Sequence, residues 1–323
     1  MERVAIVLFN LGGPDSLAAV RPFLFNLFSD PDIFRLPLGA LTQKPFAALV
    51  SRRRAAEAAK GYAAIGGASP LLSNTRRQAQ ALAHALANDG DFDVHICMRY
   101  WHPRAAQVVE QLKANNIARV VLLPLYPHYS IATTGSSCNE FQRECARQKY
   151  QPTVSWVRQW YDQPDYLDGI VQTLRAQAAA FPNADPAAIE VLFSAHGLPR
   201  KIIDAGDPYE KQIRATFEAV RARLQWPRTT LCYQSRVGPL EWLKPYTDEV
   251  IREKARAGAQ QILVYPIAFV SDHVETLYEL GQTYAQLARD QGVAHYRVAP
   301  ALNDDARLTQ GLRKLVLDAV TRL

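Results

Sequence analysis

The sequence predicts an α/β protein made of two similar, doubly wound halves, each with a parallel sheet. Short apolar and β-branched runs alternate with longer segments of helical periodicity. The apolar runs lack strict alternation with polar residues, which is typical of strands covered on both faces, as in parallel sheets. The same order of runs repeats in two stretches of comparable length. Right-handed βαβ units arranged in two halves are therefore expected.

The predicted strands are the runs rich in Val, Ile, Leu and aromatic residues. They lie at residues 4–10, 95–101, 119–126, 189–195, 230–235, 261–269 and 295–300. Several of the intervening helices have Pro in the first turn, or Ser, Asp or Asn just ahead of it, which are signals for a helix start. The predicted helices cover residues 72–88, 103–115, 164–181, 208–224, 239–257, 273–291 and 305–322.

These elements predict three regions along the chain. Residues 1–160 form an N-terminal half, residues 161–303 form a C-terminal half, and a last helix at 304–323 packs back on the first half. Residues 23–54 break the pattern, because they are rich in Phe and Leu and are interrupted by prolines. This segment either caps the core or forms an apolar lip that contacts a greasy ligand or the membrane interface.

The composition excludes several classes of protein. Of 323 residues, 48% are hydrophobic and 21% are charged, as in an ordinary globular protein. The net charge of +6 suits acidic ligands or anionic lipid surfaces, but it is weak for nucleic-acid binding. The one dense basic cluster, Arg52, Arg53 and Arg54, is more typical of a solvated helix face. Four cysteines without a CxxC pair indicate a reducing compartment rather than a disulfide scaffold or zinc site. With no signal peptide or membrane span recognised, a cytoplasmic protein is expected.

Two strand exits carry the candidate chemistry. His196 follows one apolar run, and His273 and Glu275 follow another. Each residue alone has a simple structural explanation, because a His often bonds a backbone carbonyl and a Glu often caps a helix. However, doubly wound sheets bind ligands at the carboxyl ends of their strands. In addition, Asp272, Glu275 and Glu279 have the spacing of one acidic line on a helix. Such groups suit a loosely held divalent metal or proton abstraction.

Other motifs are weaker. "NLGGPDS" follows the first strand but matches neither GxGxxG nor GxxxxGK[ST], which disfavours nucleotide binding. G-x-S-x-G and HExxH are absent, so the motifs of serine and zinc hydrolases are missing. "TTGSS" could bind an anion at a helix start, although a simple N-cap is favoured.

The longer motifs resemble those of ferrochelatases, the enzymes that insert Fe(II) into a porphyrin to make haem. They are "FSAHGLP" with "DPY" downstream, "QSRVGPLEWL" and "PIAFVSDHVETLYEL" in the second half, and "NLGGPDS", "YAAIGGASPL", "MRYWHP" and "YPHYSIATTGSS" in the first. The resemblance spans nearly the whole chain in the family's order. It implies two Rossmann-like halves with a cleft between them. It also implies insertion of Fe(II) into protoporphyrin IX with release of two protons, the last step of haem biosynthesis.

The resemblance also implies roles for individual residues. His196 matches the active-site histidine and Glu275 its partner carboxylate, both as catalytic residues and as metal ligands. Which of the two accepts the proton and which contacts iron stays open. Asp272, His273 and Glu279 match the helix that lines the metal or proton route. The positions that match porphyrin-binding residues of the family are Leu11, Arg54, Tyr62, Ser69, Arg99, Ser235 and Trp242.

Departures from the family pattern refine the expectation. Ile131 stands where animal members have an internal cysteine of an iron–sulfur cluster, so no such cluster and no tightly bound cofactor are predicted; Fe(II) is a substrate. Leu11 stands where enzymes acting on coproporphyrin typically carry Tyr, which favours protoporphyrin IX. Ala63 and Ala64 replace arginines that are frequent in relatives, which weakens the expected propionate contacts on that side.

Three alternatives stay open from the sequence. The protein could act on coproporphyrin III, be a sirohydrochlorin chelatase, or carry a tetrapyrrole without catalysis. In the main interpretation its partners are protoporphyrin IX and ferrous iron, with peripheral contact to the inner membrane and no nucleic acid. The oligomeric state is not determined by the sequence, and a monomer is favoured.

Overall fold

Two parallel sheets of four strands each organise the chain. The structure is a computed structural model that describes residues 2–34 and 36–323. The strands are β1 (Val4–Asn10), β2 (Phe92–Met98), β3 (Arg119–Pro124), β4 (Thr153–Trp156), β5 (Glu190–His196), β6 (Thr229–Gln234), β7 (Gln261–Tyr265) and β8 (His295–Val298). The first sheet has the order β2-β1-β3-β4 and the second has the order β6-β5-β7-β8. All pairings are parallel, so the predicted α/β class is confirmed.

Helices connect these strands. They are α1 (Val20–Phe28), α2 (Ala40–Ala64), α3 (Leu71–Leu86), α4 (Ala105–Ala114), α5 (Ser136–Arg147), α6 (Pro164–Ala178), α7 (Arg200–Asp204), α8 (Tyr209–Leu224), α9 (Thr247–Arg256), α10 (Ala285–Asp290) and α11 (Ala306–Val320). A π-helical turn at Ile131–Gly135 precedes α5, a 3₁₀ turn spans Pro186–Ala188, and a longer π-helix spans Glu275–Tyr284. Among the described residues, no helix is both long and apolar enough to span a membrane.

The two sheets have the same topology. In each, the first strand of the half lies between the second and the third, and the fourth strand is at the edge. In this arrangement the connections after the first and third strands run to opposite faces of the sheet. The strand order reverses between these two strands, and ligands of such folds bind at their carboxyl ends. β1 and β5 are the corresponding first strands. The residues that follow them are therefore the natural places for a site in each half.

The strand predictions differ from the structure mainly at sheet edges. β4 was not predicted, because a run of four residues with a polar Ser155 gives a weak pattern. β2 begins at Phe92, three residues earlier than predicted, and ends at Met98. Asp93 and His95 interrupt the apolar pattern at the start of β2, because an edge strand tolerates polar side chains that face solvent.

The helix predictions fail where prolines intervene. The predicted helix at 239–257 begins only at Thr247 in the structure. Pro245 lies inside the predicted segment, and a proline disfavours helical geometry in the residue before it. Residues 23–54 contain part of α1 and the beginning of α2, neither of which was predicted.

The contacts divide the chain into two compact units. The first comprises Met1–Gln159 and Thr309–Leu323, and the second comprises Trp160–Leu308. Most of α11 therefore belongs to the first unit. Its Arg313 pairs with Asp89 beyond the end of α3, with Nε 2.6 Å from Oδ2. This ion pair fastens the C-terminal helix to the first half of the chain.

Each unit has its own apolar core around its first strand. All seven residues of β1 are buried, and Phe9 packs edge-on against Phe141 of α5 with ring centroids 5.9 Å apart. In the second unit Phe193 of β5 packs edge-on against Phe217 of α8, at 5.2 Å. The first six residues of β5 are buried and only the seventh, His196, is partly exposed. The chain therefore leaves the second core at a histidine.

Candidate active site

His196 is held from its backbone. The Tyr209 hydroxyl donates a hydrogen bond to the His196 carbonyl oxygen at 2.8 Å. The next residue, Gly197, donates its N–H to the Gln234 carbonyl at 2.9 Å. A Cβ on Gly197 would lie 2.9 Å from that carbonyl oxygen and 3.3 Å from Cε3 of Trp242. Glycine is therefore required here for a close approach of backbones, which fixes where the imidazole leaves the sheet.

Glu275, the first residue of the π-helix, pairs with this imidazole. Its Oε2 lies 2.8 Å from Nδ1 of His196. Burial alone would raise the pKa of Glu275, but the charge of His196 and its hydrogen bond outweigh burial and lower that pKa to about 2. Burial alone would lower the pKa of His196, but Glu275 outweighs burial here too and raises it. The side chains are 33% and 23% exposed, so solvent reaches the pair.

A second carboxylate, Glu279, lies beside the pair and is bound by Ser235. The Ser235 N–H donates to Oε1 of Glu279 at 2.9 Å. The Ser235 hydroxyl is within 2.5 Å of Oε2 of Glu279 and 3.2 Å from Oε2 of Glu275. Burial and the nearby charge of Glu275 raise the pKa of Glu279. The two carboxylates thus have pKa values displaced in opposite directions, an arrangement that is common at functional sites.

His273 and Phe269 complete this cluster. The Nδ1 of His273 lies 3.1 Å from the Ser271 carbonyl oxygen, which can only accept a hydrogen bond, so Nδ1 carries a proton. The Nε2 of His273 is 3.9 Å from Oε1 of Glu275. The Phe269 ring packs edge-on against His273 at 4.4 Å and lies 6.3 Å from the ring of His196. Phe269 therefore provides an apolar wall beside both imidazoles.

Asp272, a member of the predicted acidic line, makes hydrogen bonds away from the His196–Glu275 pair. Its carboxylate accepts hydrogen bonds from Asn303 Nδ2 at 2.7 Å and from Ala301 N at 3.2 Å. It also accepts one from the Thr276 hydroxyl at 3.0 Å. These bonds join the start of the π-helix to the segment after β8. Asp272 therefore supports the start of the π-helix, and its part in a metal or proton route stays a prediction. Glu275 and Glu279 are the two carboxylates beside His196.

The helix that carries these groups is a π-helix over ten residues, where the sequence predicted an ordinary helix. Each N–H of a π-helix bonds the carbonyl five residues back, and such segments are frequent at functional sites. A Cβ on Gly281 would lie 3.3 Å from the Thr276 carbonyl oxygen, five residues earlier, so glycine eases this geometry. The Tyr296 hydroxyl donates to the Leu280 carbonyl at 3.0 Å. A strand of the same unit thereby supports the π-helix.

In the first unit, two of the residues predicted to contact porphyrin are Leu11, directly after β1, and Ser69, in the loop between α2 and α3. Leu11 donates its N–H to the Asn10 side-chain oxygen at 2.8 Å, and its carbonyl accepts from Tyr100 N at 2.9 Å. Two residues on, Gly13 packs so closely against Ser69 that a Cβ there would overlap the hydroxyl. Leu11 and Ser69 therefore belong to one cluster of loops.

Two more predicted contacts lie on α2. Tyr62 is buried at the end of α2, and its carbonyl accepts the Gly67 N–H at 2.8 Å. Arg54 is exposed on α2, with its guanidinium 5.9 Å from the centroid of the Phe28 ring. A direct role of Arg54 and Tyr62 in porphyrin binding stays a prediction.

Arg99, also predicted to contact porphyrin, is instead enclosed in an ion-pair network. It is 5% exposed, and its Nη2 and Nη1 lie 2.9 Å from Asp30 Oδ1 and 3.0 Å from Glu140 Oε2. Its Nε donates to the Ser136 hydroxyl at 2.5 Å. Tyr100 extends the network with a hydrogen bond of 2.6 Å to Asp30. The network holds the guanidinium of Arg99 in place, and a direct role of Arg99 in porphyrin binding stays a prediction.

Of the remaining predicted residues, Trp242 is placed next to the catalytic cluster. It is half-buried, forms an isolated bridge with Pro199, and its indole N–H donates to the Val237 carbonyl at 3.0 Å. In the second unit, the structure thus brings together His196, His273, Glu275, Glu279, Ser235 and Trp242.

The comparisons with known proteins identify the family of the chain. A family model described as Ferrochelatase matches residues 3–320. The chain belongs to the ferrochelatase family. The predicted family is therefore confirmed, and with it the predicted class of enzyme, a metal chelatase.

Relatives named ferrochelatase cover nearly all of the chain. One from Synechococcus sp. (strain JA-3-3Ab) is 46% identical over 321 residues, covering 98% of this chain and 93% of the relative. One from Gloeobacter violaceus is 43% identical and covers 98% of each chain. "Ferrochelatase-2, chloroplastic" from Cucumis sativus is 42% identical, covering 99% of this chain and 63% of the plant protein. The match is therefore not confined to single motifs.

Distant solved structures share the fold. A multi-domain protein of Deinococcus radiodurans, described as structurally similar to chelatases, superposes with a TM-score of 0.55 at 15% identity, covering 98% of this chain and 55% of that chain. SirB from Bacillus subtilis, solved with Fe3+, superposes with a TM-score of 0.55 at 9% identity, covering 99% and 96%. At these identities the likeness shows the chelatase-like fold alone.

The sequence did not identify three residues that touch the site. Tyr209, Phe269 and Tyr284 had no predicted role, although "DPY" and "PIAF" were recognised as motifs. Tyr284 donates its hydroxyl to Oε1 of Glu279 at 3.1 Å. Tyr209 and Phe269 lie inside motifs that also contain or follow site residues, which could have indicated a role at the site. However, an aromatic residue next to a buried strand is equally typical of the apolar core.

Proposed function

We propose that the protein inserts Fe(II) into protoporphyrin IX and releases the two pyrrole protons, with His196 and Glu275 as the reacting pair. The observation that carries this proposal is the 2.8 Å contact between His196 Nδ1 and Glu275 Oε2 at the exit of β5. The motif resemblance implies that both residues are at the active-site positions of ferrochelatases, and the chain belongs to that family. The pair is partly exposed, as a site that receives a planar ligand must be.

The geometry supports His196 as the proton acceptor. With Nδ1–H donated to Glu275, the lone pair of the neutral imidazole is on Nε2, which can accept a pyrrole proton. The carboxylate then stabilises the imidazolium that forms, and it is a stable anion because its pKa is about 2. Oε1 of Glu275, 3.9 Å from His273, is left as an oxygen ligand for the metal.

Iron is a substrate in this proposal and needs only weak ligands. In the part of the chain that the structure describes, no group of three or more His, Cys, Asp and Glu side chains is arranged to hold a metal ion. A pair of ligands suits an ion that must be passed to the porphyrin, whereas a closed tetrahedral set would retain it.

Protoporphyrin IX is the favoured porphyrin, and coproporphyrin III is the alternative. Leu11, at the exit of β1, offers an apolar side chain where the coproporphyrin enzymes typically carry Tyr. The test is an anaerobic assay with Fe(II), or Zn(II) as a stable substitute, in which both porphyrins compete. Preferential consumption of protoporphyrin supports the proposal. Preference for coproporphyrin assigns the alternative substrate, and binding of either porphyrin without metal insertion supports a carrier.

We also propose that the protein is cytoplasmic and meets its poorly soluble substrate at a membrane surface. Leu38, Leu41 and Leu49 are exposed by 78%, 79% and 49% in and before α2. Arg52 and Arg53 are exposed on the same helix. An apolar surface bordered by arginines suits an interface with anionic lipid headgroups.

Vesicle co-sedimentation tests the membrane proposal. Wild-type protein should sediment with phosphatidylglycerol vesicles and less with phosphatidylcholine vesicles. The double variant Arg52→Gln with Arg53→Gln should lose part of this binding, about 1 kcal/mol per arginine. The matched control is Arg221→Gln with Arg223→Gln on α8, which should bind like wild type. Equal binding by all variants would exclude α2 as the contact.

We propose further that the protein works without an iron–sulfur cluster or another tightly bound cofactor. Cys97, Cys138 and Cys232 are buried and Cys145 is partly buried. Burial raises the pKa of each thiol, which opposes the thiolate form that binds iron–sulfur clusters. Iron and sulfide analysis of protein purified without oxygen tests this, and stoichiometric sulfide would contradict it.

A further inference from the structure

Ser235 has an uncommon backbone conformation at the exit of β6. Its φ is +64°, in the left-handed region that side chains other than glycine rarely adopt. Such conformations persist where surrounding contacts hold them, and they cluster at functional sites. In this conformation both the N–H and the hydroxyl of Ser235 reach the same carboxylate, Glu279.

The hydroxyl of Ser235 connects two carboxylates. It lies within hydrogen-bond distance of Oε2 of Glu279 and of Oε2 of Glu275. A hydroxyl donates one hydrogen bond, so between two ionised carboxylates it donates to one at a time. It bridges both when one of the carboxyl groups is protonated and donates to the hydroxyl oxygen. His196 contacts the same Oε2 of Glu275 from its other side. The four side chains therefore form one row: His196, Glu275, Ser235 and Glu279.

Glu279 is the fixed end of this row. Its Oε1 accepts from the Ser235 N–H at 2.9 Å and from the Tyr284 hydroxyl at 3.1 Å. Within the described part of the chain, by contrast, the hydrogen bonds to Glu275 from His196 and Ser235 both go to Oε2, while Oε1 has His273 as a neighbour at 3.9 Å. Through its hydroxyl, Ser235 therefore links the well-held Glu279 to Glu275, the carboxylate that contacts His196.

We propose that Ser235 is a positioning residue for metal insertion, whose hydroxyl holds Glu275 and Glu279 in one hydrogen-bonded row with His196. This inference rests on the proposed function of the His196–Glu275 pair. It differs from the propionate contact that the family resemblance implies for Ser235. A propionate at this hydroxyl would place a third carboxylate beside Glu275 and Glu279, and like charges at such distances repel one another.

Two substitutions test the hydroxyl separately from the backbone. Ser235→Ala and Ser235→Gly both remove the hydroxyl and keep the N–H that binds Glu279. Glycine adopts positive φ without strain, so Ser235→Gly should fold at least as well as wild type. In single-turnover insertion of Zn(II) into protoporphyrin, both variants should be about 10- to 100-fold slower, as when a group that orients a metal ligand is lost. The Kd for metal-free protoporphyrin, measured by its fluorescence, should not change.

Other outcomes would overturn the proposal. A weaker Kd for protoporphyrin with unchanged insertion would assign Ser235 to the propionate. If Ser235→Gly inserts metal at the wild-type rate and Ser235→Ala does not, the backbone conformation matters and the hydroxyl does not. If both variants insert metal at the wild-type rate, Ser235 has no role in insertion. Gln225→Gly is the matched control, because Gln225 has φ +58° at the exposed end of α8, away from the site.

A parallel assay of His196→Ala separates this proposal from the proposed function. If His196→Ala turns over like wild type, the proposed function of the pair fails. If His196→Ala is inactive and the Ser235 variants are not impaired, only the role of Ser235 is wrong.

Discussion

Arg99 and His196 both lie at the carboxyl end of a strand, Arg99 just after β2 of the first unit and His196 at the end of β5 of the second, and both contact carboxylates. Arg99 is 5% exposed and is bound by Asp30, Glu140 and Ser136. His196 has a side chain that is 33% exposed and pairs with Glu275 alone. A guanidinium stays charged at all accessible pH values, whereas an imidazole exchanges its proton near neutrality. The same topology thus supports a closed ion-pair network in one unit and an open, titratable pair in the other.

This difference is the reason why we place the proton chemistry in the second unit. Buried ion pairs contribute little net stability, but removing one partner leaves an uncompensated charge. The network around Arg99 therefore orders the loops after β1 and β2. Around His196, the pKa values of Glu275 and Glu279 are displaced in opposite directions, which is the pattern of groups that exchange protons.

The largest expected effect is on turnover in Glu275→Gln. The amide keeps the size of the side chain but loses the charge that stabilises imidazolium, so kcat/KM should fall on the order of 10²–10⁴-fold. Porphyrin consumption under anaerobic conditions measures this. The control is Glu190→Gln at the start of β5, the strand that ends at His196, where Glu190 pairs with Arg228 and Lys254. Equal losses in the two variants would show that Glu275 has no special role.

The next effect is on stability in Arg99→Met. It leaves Asp30 and Glu140 without their shared cation in a buried place, so the free energy of unfolding should fall by about 3–5 kcal/mol. Urea denaturation measures this change. Arg143→Met is the control, because Arg143 pairs with Asp32 while its side chain is 49% exposed. That variant should lose less than about 1 kcal/mol, and a similar loss in both would mean that the network is not the cause.

A smaller effect is expected for Gly197→Ala. The added methyl would meet the Gln234 carbonyl at 2.9 Å, and backbone atoms cannot move aside easily. Overpacking of this kind should cost about 1–3 kcal/mol of stability and displace His196, so that turnover falls together with the melting temperature. In the control Gly169→Ala the nearest atoms are Leu302 methyl groups at 3.2 and 3.3 Å, which can rotate. A smaller loss of stability and turnover in Gly197→Ala than in Gly169→Ala would contradict this account.

The smallest effect concerns the pH profile. Burial lowers the pKa of His196, Glu275 raises it more strongly, and Glu279 adds to the increase. The neutral imidazole exists above this pKa, so kcat/KM should rise with pH, with a midpoint above the ordinary histidine value. Glu279→Gln removes one negative charge and should shift the midpoint to lower pH. Glu249→Gln, which alters a carboxylate in an exposed ion pair with Arg236, is the control. A shift of the midpoint to higher pH in Glu279→Gln would contradict the conclusion that the charge of Glu279 raises the pKa of His196.

Much of the fold could be predicted because its main signal is local. β1 and β5 are continuous apolar runs, and their burial on both faces follows from composition alone. The π-helix could not be predicted, since apolar periodicity over ten residues does not distinguish bonds to the fourth residue from bonds to the fifth. β4 was missed because a short strand at an edge has little apolar pattern.

The site could be predicted in its identity but not in its contacts. His196 and Glu275 were identified by motifs at strand exits, and the structure joins them. Asp272 was grouped with them by spacing, yet its partner Asn303 lies 31 residues away in sequence. Arg99 matched a porphyrin contact, yet Asp30, which encloses it, comes from the end of α1. Helical spacing and motif position do not reveal partners that only the tertiary fold supplies.

Chemical rescue of His196→Ala tests the central claim most directly. The assay measures insertion of Fe(II) into protoporphyrin by this variant, without and with added imidazole. Because the side chain is 33% exposed, free imidazole should reach the space that the substitution leaves. We expect almost no turnover without imidazole and a recovery that increases with imidazole concentration. Turnover at the wild-type rate without imidazole would contradict the assignment of His196 as the proton acceptor.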